Sequence, residues 1–253
     1  MTRFTVSFLV LVLSWVCASL LLPGVSCGGE FRVSPIRLDL DAKAKSGVIT
    51  VINEADEKLQ CQMKAMEWAQ DREGKDVYTE TQDIIFFPKL MTIDPKSERI
   101  IRAGIRIPAA AREKTYRLFV EEIPGPKKAE GVAVAVTIRF GVPIFVKPVK
   151  EEAKGVVEEA GISKSTFTAV VRNTGNVHLI INSINLTGKD QKGEKTFSRE
   201  LSGWYLLNGV SRPYSTPLPP DACIKTTTLD IEVKTDKLNL NSKLNVDASM
   251  CRQ

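Results

Sequence analysis

From Phe31 onward the apolar residues recur mainly at every second position. Turn residues interrupt that pattern about every 8 to 12 positions, the rhythm of short successive strands. Val48-Ile49-Thr50-Val51-Ile52, Ile100-Ile101-Arg102-Ala103-Gly104-Ile105, Tyr116-Arg117-Leu118-Phe119-Val120 and Phe167-Thr168-Ala169-Val170-Val171 are examples. Each is rich in β-branched or aromatic residues and is bounded by Gly, Pro, Asn or Asp. No window keeps an apolar stripe at helical spacing for three turns. Short, evenly spaced strands predict an all-β fold of the sandwich or barrel kind.

The strand pattern lapses once. Val146-Lys147-Pro148-Val149-Lys150 leads into the charged Glu151-Glu152-Ala153-Lys154, and strand patterning resumes after Gly155. This seam divides the chain into an N-terminal domain over residues 28–147 and a C-terminal domain over 148–253. In the second domain Arg172-Asn173-Thr174-Gly175-Asn176 looks like a hairpin turn, with Asn and Gly to supply positive φ. Residues 211–220 carry four prolines and read as a loop or an edge.

The first segment reads as an address. Met1-Thr2-Arg3 brings one cation, an apolar run fills residues 8–22, and Pro23-Gly24 ends it. That run is shorter than the ~20 residues a spanning helix needs, so residues 1–27 are expected to be a cleaved signal peptide. The exported remainder suits two domains of ~110 residues each, with no stable membrane insertion. Export changes how the cysteines read. Cys17 leaves with the signal and Cys27 borders it, while the alternation in Leu59-Gln60-Cys61-Gln62-Met63 makes Cys61 a buried strand thiol. Cys223 and Cys251 remain for one disulfide in an oxidising compartment. No Cys-x-x-Cys pair is present to support a redox or zinc role.

Composition narrows the chemistry. The chain is 43% hydrophobic and 26% charged, ordinary for a globular protein. It has one histidine, His178, so a multi-His metal site or a His-based triad has little to build on. We therefore expect neither an enzyme nor a cofactor, and a structural role for His178. The net charge of +5 is dispersed along the chain, which argues against nucleic acid.

One stretch is unusual. In residues 131–146, Val132, Val134, Val136, Ile138 and Phe140 share one face of a long strand, and Ala133, Ala135, Thr137 and Arg139 share the other. Small residues on one face suit packing on a domain core, which would turn the aliphatic face away from it. The same pattern also suits a central strand buried on both faces, and periodicity leaves both readings open.

Just upstream, Tyr116-Arg117-Leu118-Phe119-Val120-Glu121-Glu122-Ile123-Pro124 is followed by Gly125-Pro126-Lys127-Lys128. With Phe145-Val146-Lys147-Pro148 beyond, this combination resembles the periplasmic pilus-assembly chaperones of the chaperone–usher pathway (PapD-like). Arg37 in Val33-Ser34-Pro35-Ile36-Arg37-Leu38, Asn53 closing Val51-Ile52-Asn53, and Phe86-Phe87-Pro88-Lys89-Leu90 before Arg99-Ile100-Ile101-Arg102 extend the likeness. It covers residues 31–148 well and the second domain loosely.

The resemblance implies two immunoglobulin-like β-sandwich domains joined at an angle, in a periplasmic, non-enzymatic protein. Its partners would be pilin-like subunits and an outer-membrane usher, and a self-dimer through the lending strand stays open. Residues 132–140 would complete the subunit's unfinished sandwich by β-augmentation. Burying four or five aliphatic side chains there would contribute ~6–15 kcal/mol before ordering costs. Arg37 matches the first of two cations that anchor the subunit's carboxylate. The second, a lysine in the family, is replaced here by Pro143, and Arg139 is the substitute the spacing offers. Glu122 and Lys147 are candidates for an interdomain ion pair. A tandem immunoglobulin-like structural or adhesive protein is the alternative, and it differs in burying the 132–140 strand.

Overall fold

The computed structural model describes residues 31–108, 110–124 and 136–252. Strands β1 (Phe31–Ser34), β2 (Leu38–Leu40), β3 (Ser46–Asn53), β4 (Leu59–Gln70) and β5 (Asp76–Glu80) come first. They are followed by β6 (Ile84–Phe87), β7 (Leu90–Ile93), β8 (Glu98–Ile105), β9 (Lys114–Glu122) and β10 (Arg139–Val146). The second half holds β11 (Gly155–Ser163), β12 (Thr166–Asn173), β13 (Leu179–Lys189) and β14 (Lys195–Ser202). Then come β15 (Tyr205–Leu206), β16 (Ser211–Pro217), β17 (Thr228–Thr235) and β18 (Asn239–Asn245). Among the described residues, helix is confined to α1 (Pro220–Ile224) and a 3-10 turn (Ala248–Cys251).

The period-two pattern becomes burial. Along β4, Leu59, Cys61, Met63 and Ala65 are buried while Gln60, Gln62 and Lys64 are exposed. Along β12, Phe167, Ala169 and Val171 face inward. Four strands in the order β1-β3-β8-β6 pack on a sheet ordered β2-β10-β9-β4-β5, with β7 also pairing to β4. Ile49, Val51, Ile101, Leu118, Val120 and Ile144 fill the space between them. In the second half, β11-β12-β16 packs on β14-β13-β17-β18, with β15 on β13. Phe167, Leu186, Ile231 and Val233 form that separate core. Two β-sandwiches, each with its own interior, result.

Two sequence expectations meet the structure differently in the second sandwich. Residues 172–176 make no hairpin, because β12 pairs with β11 and β16 and never with β13. Gly175 is needed there for close approach: a Cβ would sit 2.3 Å from the Glu152 carbonyl oxygen. The tight turn lies instead between β11 and β12, where Lys164 and Ser165 both take positive φ. No Asn or Gly marks it in the sequence. The proline-rich tract forms β16, an edge strand bonded only to β12, which then runs into α1. Cys223 in α1 is bonded to Cys251 in the 3-10 turn, with the Cα atoms 5.7 Å apart. Cys61 is a fully buried free thiol in β4.

Candidate functional site

The ladder partners of β10 define the candidate site. On one side β10 pairs with β9 along its whole length, from Arg139 opposite Glu121 to Val146 opposite Lys114. On the other side β2 covers only Ile144, Phe145 and Val146. Among the described residues, no strand pairs with that edge between Arg139 and Pro143. The Glu122 N–H donates to the Ile138 carbonyl at 3.0 Å, and the Lys147 N–H donates to the Leu40 carbonyl at 2.8 Å. Even positions therefore bond to β9, and odd positions turn their backbone groups to the opposite side. Arg139 and Gly141 thus present main-chain groups to an open edge, which closes at Pro143, where the register with β2 begins. Proline lacks an N–H, and at Pro143 none is missed by the ladder with β9.

Side chains alternate accordingly. Val142, Ile144 and Val146 enter the core of the first sandwich. Ile138 and Phe140 have the same parity, and both are half-buried against that core. This corrects the expectation that the aliphatic face points wholly away from its own domain: one straight strand keeps Phe140 on the side of Val142. Val136 is different, being 78% exposed. Val132 and Val134 lie outside the described residues, as do residues 1–27 and the Lys127-Lys128 pair.

The opposite face of β10 carries cations. The Arg139 guanidinium lies 3.7 Å above the Phe119 ring and pairs with Glu121 at 2.6 Å. Arg37 pairs with Asp39 at 2.9 Å. Because Leu38 stands opposite Ile144, Arg37 falls beside Pro143, and Arg139 is four residues away along β10. At ~3.3 Å per residue their backbones stand ~13 Å apart, and each guanidinium is held by its own carboxylate, Asp39 and Glu121. The structure does not bring Arg37 and Arg139 together. The cation directly across the ladder from Pro143 is Arg117. It lies 4.1 Å over the Trp68 ring and 3.6 Å from Asp76, and its Nε and Nη2 have no hydrogen-bond partner among the described residues. From sequence, Arg117 reads only as a member of a strand, with no role of its own. Its signal was the unbroken alternation Tyr116-Arg117-Leu118, which puts it on the same face as Phe119.

Glu122 and Lys147 do not pair. They sit beyond opposite ends of the β9–β10 ladder, roughly 30 Å apart at strand spacing. Lys147 instead meets Glu151 at 3.0 Å, and the Glu122 carboxylate accepts the Ile138 N–H at 3.2 Å.

Other residues join the sandwiches. Trp68 and Phe145, on the outer face of the first sandwich's second sheet, pack with Leu207, Tyr205 and Val210. Gln70 acts as a false strand: its side-chain amide donates to the Tyr205 carbonyl at 2.9 Å and accepts the Leu207 N–H at 3.0 Å. Asn176 donates to the Ala111 and Lys150 carbonyls. Glu113 accepts from the His178 backbone N–H at 2.9 Å and lies 2.8 Å from its Nδ1.

Burial pushes the Cys61 thiol up to about 12, which keeps it protonated. Among the described residues no cluster of three His, Cys, Asp or Glu side chains is arranged to hold a metal ion. No described helix is long and apolar enough to cross a membrane.

Residues 30–151 match the family of pili and flagellar-assembly chaperones, PapD N-terminal domain. No curated protein gives a significant sequence match. Solved structures share the fold. A chain of the CsuC–CsuE chaperone–tip adhesion subunit pre-assembly complex, from archaic chaperone-usher Csu pili of Acinetobacter baumannii, has a TM-score of 0.57 at 16% identity. The match covers 83% of this chain and 97% of that one. A chain of the Salmonella enterica SafA pilin–SafB chaperone complex gives 0.55 at 12% identity, covering 88% and 100%. The E. coli chaperone DraB gives 0.53 at 18% identity, covering 85% and 97%. At such identities the structural likeness speaks for the two-sandwich fold, and the sequence match over the first sandwich carries the family. The first sandwich is thus a PapD-like pilus-assembly chaperone N-terminal domain, and the whole chain shares the two-sandwich fold of these chaperones.

Proposed function

We propose that this protein is a periplasmic chaperone that holds pilin-like subunits by lending them the edge of β10, and that it passes them to an outer-membrane usher. One observation carries the reading: β10 has an unpaired edge at Arg139 and Gly141, continued upstream by the exposed Val136. An open edge beside exposed aliphatic side chains is a template for another chain's strand. Val132 and Val134 follow Val136 in parity and would extend the same row. Arg37, beside Pro143, is the cation we assign to a terminal carboxylate of the subunit. Arg117, across from Pro143, is better placed than Arg139 to assist it.

For the usher we assign the outer face of the first sheet, where Val48, Ile85, Phe87 and Ile100 are exposed beside Leu90. Contiguous apolar side chains on a soluble surface mark interaction sites. Binding through strands and apolar faces needs no catalytic step, in keeping with a family that works by holding its subunits.

The test is affinity capture of the tagged, exported protein, with mass spectrometry of what accompanies it. Wild type should bring down a pilin-like subunit. Val136→Asp should lose it while the melting temperature stays within a degree or two. Loss of fold in that variant, or capture that survives it, would refute the reading.

A further inference from the structure

Arg37 and Arg117 belong to the first sandwich, and a tyrosine of the second packs beside them. Tyr205 lies in β15, opposite Ile180. Its ring stacks on Phe145 with the centroids 5.8 Å apart and the planes at 29°, and it meets Trp68 and Trp204 edge to face at 5.3 and 5.5 Å. Trp68 is the ring over which Arg117 lies. Phe145 stands opposite Asp39 in the β10–β2 register, and Asp39 accepts from the Arg37 Nε at 2.9 Å. With Leu38 and Leu40 turned into the core, Arg37 and Asp39 share the outer face with Phe145. Tyr205 therefore sits over the face that carries Arg37.

Packing uses the ring and leaves the hydroxyl over. Of the four tyrosines, Tyr78 donates to Asp76, Tyr116 donates to Asp83, and the Tyr214 oxygen is sealed against the second core. The Tyr205 hydroxyl has no hydrogen-bond partner among the described residues and is not sealed. Burial raises this phenol above its ordinary range, and the charges of Arg37 and then Arg117 act against the rise. It keeps its proton at neutral pH, with both guanidiniums close enough to act on it. Arg37 commits only its Nε to Asp39, which leaves its two Nη groups for a ligand.

We propose that Tyr205 is a specificity-determining residue, whose hydroxyl donates to the same terminal carboxylate that Arg37 holds. This rests on the proposed reading of Arg37 and adds to it a donor from the second sandwich. A guanidinium grips a carboxylate through parallel N–H donors, and the oxygens keep lone pairs for a further one. A phenol already fixed by its neighbours loses little freedom in supplying it.

The test uses the full-length mature protein and a synthetic peptide copying the C-terminal segment of the subunit that wild type captures, made as the free acid and as the C-terminal amide. Isothermal titration calorimetry gives both affinities. Wild type should prefer the acid. Tyr205→Phe keeps the ring among Phe145, Trp68 and Trp204. It should weaken binding of the acid about tenfold to a hundredfold, the loss of a hydrogen bond to a charged group, and leave the amide unchanged. Arg37→Ala should weaken the acid at least as much. Equal weakening of acid and amide by Tyr205→Phe would mean a packing role and overturn the proposal. Wild-type affinity for the acid in Tyr205→Phe, beside a loss in Arg37→Ala, would overturn it too and leave the reading of Arg37 standing. If wild type captures no subunit, or binds acid and amide alike, that reading falls and Tyr205 with it.

Discussion

Phe140 meets Phe31 edge to face, with ring centroids 5.0 Å apart and the planes at 72°. The contact ties β10 to β1 at the end of the sandwich where β2 no longer covers β10. It divides the aliphatic row into a part that serves this chain's own core and a part that does not. Phe140→Ala should therefore cost about 2 kcal/mol, less than a fully buried phenylalanine because the ring is only half enclosed. Val136→Asp should stay within ~0.5 kcal/mol of wild type. Urea denaturation monitored by tryptophan fluorescence measures both. Equal losses in the two variants would mean that Val136 is buried too.

Asp83 accepts hydrogen bonds from the Tyr116 hydroxyl at 2.7 Å and from Lys114 at 3.2 Å. The Tyr116 bond, with Lys114 adding to it, holds the carboxyl below its ordinary range, and burial of Tyr116 pushes the phenol the other way. A depressed carboxyl contributes stability above its unfolded value, near pH 4, and that contribution fades as pH falls through the folded value. Asp83→Asn should thus lose about 1 kcal/mol at pH 7, and the gap from wild type should narrow below about pH 4. Melting temperatures from pH 7 to pH 3 follow it. A gap of constant size would contradict the account.

The fold was legible because burial in a sandwich repeats every two residues, and β4 and β12 show that repeat directly in their sequences. Other features depended on partners distant in the chain. Ile138 and Phe140 read as outward-facing because nothing local reveals that Phe31 waits across the sandwich. Arg139 seemed free to bind a carboxylate because its pairing with Glu121 follows from the β9–β10 register, which only the folded ladder fixes. Glu122 and Lys147 failed as a pair for the same reason. His178 was rightly read as structural, yet its partner is 65 positions away in sequence and in the other sandwich.

Asn53 and Asn173 do the same work in the two sandwiches. Each ends a strand, is buried, donates through Nδ2 to one carbonyl of the following loop (Glu57 or Val177) and to one on a distant strand (Ile93 or Leu206), and accepts a backbone N–H two residues on. Both side chains are buried, so truncation strands several polar groups at once. Asn53→Ala and Asn173→Ala should each cost about 2–3 kcal/mol, with Asn→Asp no better because a carboxylate cannot donate to those carbonyls. Chemical denaturation of the two alanine variants checks this. A loss under ~1 kcal/mol at either site would show that its loop finds another partner.

The disulfide is a separate source of stability for the second sandwich. Cys223 and Cys251 are 28 residues apart, and the segment between them contains β17 and β18. Closing a loop of that size restricts the unfolded chain and contributes about 3.6 kcal/mol in the chain-entropy model. The bond fastens α1 to the 3-10 turn, whose Cys251 carbonyl also accepts from the Ser165 hydroxyl at 2.7 Å. All of these partners lie in the second sandwich, while the first keeps a core of its own. Replacing both cysteines by serine should therefore lower the melting temperature of the second sandwich and leave amide exchange in the core of β3, β8 and β9 protected. Hydrogen exchange read by mass spectrometry separates the two. Equal loss of protection in both sandwiches would mean that they unfold as one cooperative unit across the joint made by Trp68, Phe145 and Leu207.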